Sequence, residues 1–63
     1  MIRRFDYAPN HRELEIEFTT GRRYVYSDLP EREVRAMRAA FSKGRYFNTY
    51  IRDRYKCREI VSS

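Results

Sequence analysis

The strongest constraint on the fold is a stretch of strict alternation near the amino terminus. In RELEIEFT, residues 12–19, the apolar side chains of Leu14, Ile16 and Phe18 alternate with three glutamates. Successive side chains of a β-strand point to opposite faces of a sheet, so a period of two is typical of a strand with one wet face. The sequence therefore predicts a half-buried strand over residues 12–19.

The turn that follows this strand decides how it pairs with the next one. A two-residue loop at Thr20-Gly21 would need a positive φ at Thr20, which a β-branched residue disfavours. A three-residue loop over 19–21, with glycine in the left-handed position, fits the sequence better. We therefore expect a β-hairpin whose second strand covers residues 22–27.

This loop fixes the register and therefore the faces on which the two tyrosines of the second strand lie. The predicted cross-strand pairs are Phe18 with Arg22, Ile16 with Tyr24, Leu14 with Tyr26, Glu17 with Arg23, and Glu15 with Val25. A slip of one residue would send both tyrosines to the glutamate face. In the predicted register Tyr24 and Tyr26 belong mainly to the core, Arg23 pairs with Glu17, and Arg22 stays available to a ligand.

The flanking segments complete the sheet and begin a helical layer. Residues 1–7 are predicted to form a first strand, followed by a turn. A helix is predicted over residues 29–41, with Asp28 and Glu31 as a capping box. Its apolar stripe consists of Val34, Met37 and Phe41.

A second, shorter helix is predicted over residues 45–52, with Phe47 and Ile51 in the core. The tail, residues 53–63, is left open between an edge strand and a mobile segment. The predicted fold class is α+β, a three-stranded antiparallel β-meander packed against two short C-terminal helices. The whole chain, 1–63, forms one domain.

Length and composition exclude several classes of function. The chain has 63 residues and one cysteine, Cys57, so no internal disulfide can form, and no apolar run reaches the length of a membrane span. His11 lacks companions for a metal site, and Cys57 lacks a histidine partner. We expect a cytoplasmic protein with no catalytic residue, no metal and no cofactor, and no association with membranes.

One segment concentrates cations and rings. The net charge of +5 suits an anionic partner, although it also serves solubility. In residues 42–58, basic and aromatic side chains interleave, as in proteins that hold phosphates while stacking unpaired bases. The candidate nucleic-acid-binding residues are Lys43, Arg45, Tyr50, Arg52, Arg54, Tyr55, Lys56 and, from the hairpin, Arg22. The alternative is that some of these rings seal the core while the cations are merely solvated.

The order of these motifs also resembles a known family. The Y-x-Y centre at 24–26, SKG-x-YFN at 42–48 and IR-x-RY at 51–55 are similar to the KTSC family, named for its occurrence at the carboxyl end of some lysyl-tRNA synthetases. Asp53 and the following KCRE depart from the expected glycine and from a more aromatic, basic ending. The resemblance implies a small α+β domain, for which RNA binding has been proposed.

The leading expectation is a non-enzymatic RNA-binding module for tRNA-like or single-stranded RNA. The alternative is a protein-interaction module, or a small phage-type regulator that docks on a host complex through a sheet edge or an aromatic patch. An exposed strand edge leaves both a monomer and a homodimer open.

Overall fold

The computed structural model describes residues 1–61, which fold as a four-stranded antiparallel sheet with a helical layer on one face. The elements in chain order are β1 (Ile2–Ala8), β2 (Glu13–Phe18), β3 (Arg23–Tyr26), α1 (Glu31–Ala39), α2 (Lys43–Tyr46), a π-helical turn (Phe47–Ile51) and β4 (Cys57–Ile60). The strands lie in the order β1-β2-β3-β4, so neighbours in the sheet are also consecutive strands.

The central hairpin has the predicted register. Ile16 pairs with Tyr24 and Leu14 pairs with Tyr26 along β2 and β3. The loop is closed by the Phe18 amide, which donates to the Arg22 carbonyl at 2.9 Å, and Gly21 has a φ of +91°. The left-handed glycine and the resulting register are confirmed.

The sheet has one strand more than the three predicted. Residues Cys57–Ile60 of the tail form β4, which pairs antiparallel with β3 and places Arg58 opposite Val25. Both helices therefore lie in the middle of the chain, between β3 and β4, rather than at its C-terminal end. The α+β class is confirmed, and the edge-strand alternative for the tail is correct for these four residues; residues 62–63 lie outside the described part.

The start of α1 differs from the predicted capping box. Pro30 occupies the N-cap position, and no side chain caps the helix within the described structure. Asp28 instead adopts a positive φ of 62°, which turns the chain before the helix. The Pro30 carbonyl accepts from the Glu33 amide at 3.0 Å, and the proline has no amide of its own to leave unpaired.

The apolar stripe of α1 is shorter than predicted. Val34 and Met37 are fully buried, as expected, but α1 ends at Ala39. Phe41 then lies in the connection to α2 and is fully exposed, at 107% relative accessibility. The assignment of Phe41 to the buried stripe is wrong because its position depended on a helix that stops two residues earlier.

The second helical segment starts earlier than predicted and changes its pitch. Ser42 is its N-cap, with the hydroxyl accepting from the Arg45 amide at 3.3 Å. The Arg52 amide donates to the Phe47 carbonyl at 2.9 Å, five residues back, as in a π-helix. Phe47 and Ile51 are buried as predicted.

The core fills the space between the sheet and the helices. Its buried members are Leu14, Ile16, Tyr26, Leu29, Val34, Met37, Phe47 and Ile51. The Tyr7 hydroxyl donates to the Leu29 carbonyl at 2.8 Å, which ties the entry of α1 to β1.

Ion pairs cover the opposite face of the sheet. Arg23 pairs with Glu15 at 3.5 Å, not with its cross-strand neighbour Glu17 as predicted. Glu17 is held instead by Arg4 at 2.7 Å from the other side. Long side chains can reach diagonal neighbours as well as direct ones, so the strand register alone does not determine which glutamate Arg23 pairs with.

Candidate nucleic-acid interface

A groove of about 790 Å³ lies where the sheet meets α2 and the π-helical turn. Its rings are those of Phe18, Tyr24, Tyr26 and Phe47. Six residues with polar or charged side chains line it beside the rings: Arg45, Asn48, Thr49, Arg52, Asp53 and Cys57. Met1, Ile2, Ser42 and Gly44 complete the lining. The groove thus combines flat apolar surface with cations and hydrogen-bonding groups.

The rings of the groove pack against one another edge to face. The Phe18 ring lies 5.8 Å from that of Tyr24 and 5.7 Å from that of Phe47, and the Phe47 ring lies 5.1 Å from that of Tyr26. Edge-to-face packing at these distances is favourable, so the rings hold one another in place. The hairpin register brings Tyr24 and Tyr26 to this site, because it points both side chains toward the helical layer.

Tyr26 is the most buried polar side chain of the groove, at 4% relative accessibility. Burial, reinforced by the neighbouring Cys57, raises the pKa of Tyr26 to about 12. The raised pKa extends to more alkaline pH the range over which the Tyr26 hydroxyl keeps its proton and can donate a hydrogen bond.

Arg45 and Arg52 supply the positive charge of the groove. Both are exposed, and neither takes part in the ion pairs found among residues 1–61. Their backbones are fixed by the Ser42 cap and by the π-type hydrogen bond to Phe47. The groove thus presents two guanidinium groups that form no ion pair within residues 1–61, and the one carboxylate of its lining is that of Asp53.

The other predicted binding residues are distributed over different surfaces. Lys43 lines a second groove, and Tyr50 lines a third one with Phe41. Arg54 and Lys56 are exposed and line none of these three grooves of the described chain.

Arg22 lies beside the groove rather than in its lining. Hydrogen bonding to Tyr24, together with the nearby charge of Glu59, raises the pKa of the Arg22 guanidinium above its ordinary value. The exposed Arg22 therefore sits next to one of the rings that line the groove.

Tyr55 has a structural role in this arrangement. Its hydroxyl donates to the Glu33 carboxylate at 3.1 Å, and its half-buried ring packs against the core. Tyr46 also donates to Glu33, and its ring lies 4.6 Å from that of Tyr50. Burial, with the contribution of Glu33, raises the pKa of Tyr46 to about 12 and that of Tyr55 in the same direction.

Four polar residues of the groove were not singled out from the sequence. Asn48 follows Phe47 and Asp53 follows Arg52, both residues with a predicted role, and Asn48 and Arg52 are four apart, immediately after the buried pair Phe47 and Ile51. That spacing places them beside the apolar stripe of a helix, which was a usable signal. Cys57 gave no comparable signal, because its place depends on the pairing of β4 with β3.

The described residues contain no group of three or more histidine, cysteine, aspartate or glutamate side chains that could hold a metal ion. No helix within residues 1–61 is both long and apolar enough to cross a membrane.

Comparison with known proteins supports the resemblance seen in the motifs. The sequence model of the KTSC domain matches residues 1–55. An uncharacterized protein of Stutzerimonas stutzeri (strain A1501) is 35% identical over 54 residues, which cover 86% of this chain and 76% of that protein. The crystal structure of a KTSC domain protein from Yersinia pestis superposes with a TM-score of 0.88 at 38% identity, over 95% of this chain and 84% of that one. The chain therefore belongs to the KTSC family.

Proposed function

We propose that this protein is a small non-enzymatic module that binds RNA, either single-stranded or tRNA-like. The observation that carries the proposal is the groove in which Arg45 and Arg52, both without a carboxylate partner in residues 1–61, flank a cluster of aromatic rings. Proteins that bind single strands typically combine cations with aromatic rings on which bases stack, and in this groove the half-buried rings are those of Phe18 and Tyr24.

The groove offers two kinds of contact to an RNA strand, ionic contacts to phosphates and stacking on a base. The two guanidinium groups contact phosphates, and the half-buried ring of Tyr24 offers a surface to an unstacked base. Asn48 and the Tyr26 hydroxyl lie in the same lining and can hydrogen-bond a base edge or a ribose hydroxyl. The edge-to-face packing of the rings means that little side-chain ordering is required on binding.

The test is fluorescence anisotropy with short labelled RNAs over a range of salt concentrations. The logarithm of the association constant should fall linearly with the logarithm of the salt concentration. Each phosphate contact to a single strand contributes about 0.7 to the steepness of this fall, so the Arg45→Ala/Arg52→Ala variant should make the slope shallower by about 1.4. The Arg54→Ala/Lys56→Ala variant removes the same charge from positions outside the groove and should change the slope less. Failure of the wild-type protein to bind RNA at low salt, or equal effects of the two variants, would overturn the proposal.

A cytoplasmic location accompanies the proposal. Cys57 is a free, exposed thiol, which is most easily kept reduced in that compartment. Fractionation of cells that express a tagged chain would test it, and recovery in an extracytoplasmic fraction would contradict it.

A second candidate function, docking on a protein, is favoured by one observation. Phe41 is fully exposed and lines the third groove, of about 290 Å³, together with the exposed ring of Tyr50. An exposed pair of large rings is a feature that protein interfaces use. A partner retained after nuclease treatment, and lost with Phe41→Ala, would support this function over RNA binding.

A further inference from the structure

A second groove, of about 470 Å³, opens next to the first and has a different charge. It is lined by Met1, Ile2, Arg3, Arg4, Phe5, Ser42, Lys43 and Gly44. Met1, Ile2, Ser42 and Gly44 also line the first groove, so the two depressions share one boundary. A ligand that leaves the first groove across this boundary enters the second one directly.

Gly44 forms part of this boundary and carries no side chain there. A Cβ atom placed on Gly44 would lie 3.5 Å from the Sδ atom of Met1, an ordinary van der Waals distance, so Met1 packs beside the glycine. The Met1 side chain is itself exposed and unbranched, and can move without disturbing the core. At Gly44 and Met1, the surface between the two grooves therefore carries no rigid side chain.

The charged lining of the second groove is entirely basic. Arg3, Arg4 and Lys43 line it, and none of its described lining residues is acidic. Arg4 is bound to Glu17 at 2.7 Å, whereas Arg3 lies at 4.0 Å from the same carboxylate. Lys43 takes part in none of the ion pairs among residues 1–61, so Arg3 and Lys43 are the cations that a ligand can most readily engage.

Taken together, the two grooves line one surface with five cations and a single carboxylate, that of Asp53. The rings that pack edge to face all line the first groove, whereas the second groove contributes three of the five cations and none of these rings. A ligand that matches it carries bases at one end and continues as a chain of phosphates. A compact anion would fill one groove only.

We propose that a bound RNA strand continues from the first groove over the Gly44 boundary into the second, where Arg3 and Lys43 contact its phosphates. This inference rests on the proposed RNA-binding function and extends it to the path and length of the strand. The occupied length then exceeds that of the first groove alone, within the roughly 4–16 nucleotides that comparable single-strand sites cover. Arg3 and Lys43 act on the backbone, so their contribution is independent of base sequence.

The test is a length series of single-stranded RNAs, from about four to about ten nucleotides, measured by anisotropy with the full chain. The wild-type protein should show a steeper salt dependence with long RNAs than with short ones. The Arg3→Ala/Lys43→Ala variant should make the salt dependence of binding shallower by about 1.4 for the long RNA and leave it unchanged for the short RNA. At about 0.1 M salt this change corresponds to a roughly 25-fold loss of affinity for the long RNA alone.

The matched control is Arg32→Ala/Arg35→Ala on α1, which removes the same charge from exposed positions outside both grooves. If this control weakens long RNAs as much as Arg3→Ala/Lys43→Ala does, net charge explains the effect and the extended path is overturned. If short RNAs bind but affinity and salt slope do not grow with length, the path is wrong while the proposed function stands. If RNAs of every length fail to bind, the proposed function itself fails.

Discussion

The carboxylate of Glu33 on α1 accepts a hydrogen bond from the hydroxyl of Tyr46 at the end of α2. The same carboxylate accepts from Tyr55 at 3.1 Å, so one side chain joins α1, α2 and the segment that leads to β4. All three residues are half-buried, and the two hydroxyls reach over the core rather than into bulk water. This junction holds α2, and with it Arg45, in position beside the groove.

Removing the acceptor of this junction should destabilise the fold. Glu33→Ala leaves two half-buried hydroxyls without their partner and should lower the free energy of unfolding by about 1–2 kcal/mol in urea denaturation. Glu33→Gln keeps an acceptor oxygen and should lose less. Glu31→Ala removes the exposed pair with Arg35 at 3.1 Å and one acidic charge from the first turn of α1, and should cost less than about 1 kcal/mol. A cost for Glu33→Ala no larger than that for Glu31→Ala would contradict the role of the junction.

Alkaline pH should destabilise the protein through its shielded tyrosines. The pKa of Tyr26 and that of Tyr46 are raised from 10.0 to about 12 in the folded chain, first of all by burial. Between these values the unfolded chain releases protons that the folded chain keeps, so stability is fully present below pH 10 and falls as the pH rises through about 12. Urea midpoints measured across this window should decline, and Tyr26→Phe should flatten the decline. A decline of the same steepness in the variant would count against Tyr26.

Truncation of Phe47 should greatly lower the stability of the fold, whereas truncation of Phe41 should hardly change it. Phe47 is 2% exposed and contacts the Phe18 and Tyr26 rings, so Phe47→Ala should cost about 3–5 kcal/mol, enough to unfold much of a chain this small. Phe41→Ala should change stability by no more than about 0.5 kcal/mol. Thermal melts followed by circular dichroism measure both. A large loss of stability for Phe41→Ala would show that its ring is covered in solution.

Replacement by alanine should destabilise the protein at Gly21 but not at Gly44. Gly21 has a φ of +91°, where a side chain is strained even though no atom lies within 4 Å of the added Cβ. Gly21→Ala should therefore cost about 1 kcal/mol or more. Gly44 lies in α2, and its added Cβ would make an ordinary 3.5 Å contact with Met1. Gly44→Ala should leave stability unchanged or raise it by up to about 1 kcal/mol, as replacing a helical glycine does. Equal midpoints for both variants in denaturant would show that the Gly21 turn is not strained.

The hairpin is the part of the fold that local sequence rules predict well. The alternation around Leu14 and Ile16 leaves one face for the core, and Gly21 offers the left-handed residue that a three-residue loop needs. These two rules together fix the pairing of Tyr24 and Tyr26, because a one-residue slip would bury glutamates. Phe47 and Ile51 were likewise predictable from their spacing, since i and i+4 remain on one side of either helix type.

The wrong predictions concern the end of a helix and the partner of an arginine that can reach two carboxylates. Phe41 continues the apolar spacing of α1, yet the helix ends at Ala39 and the ring is exposed. Arg23 could reach either Glu15 or Glu17, and Glu17 is taken by Arg4 from β1. The choice of Arg23 depends on β1, which is distant from β3 in the chain, whereas α1 ends beside Ser42, which caps the next helix.

The candidate site also has features that the sequence predicts and features that depend on the tertiary structure. The sequence by itself determined the hairpin register, the two buried residues of the second helix, and the concentration of arginines and rings in residues 42–58. The tertiary structure decided that Arg45 and Arg52 share a groove with Tyr24 and Tyr26, while Arg54 and Lys56 lie outside it. It also decided that Cys57–Ile60 form a fourth strand. The physical reason is that local alternation and turn chemistry act between near neighbours, whereas a groove and an added strand exist only after distant segments have packed together.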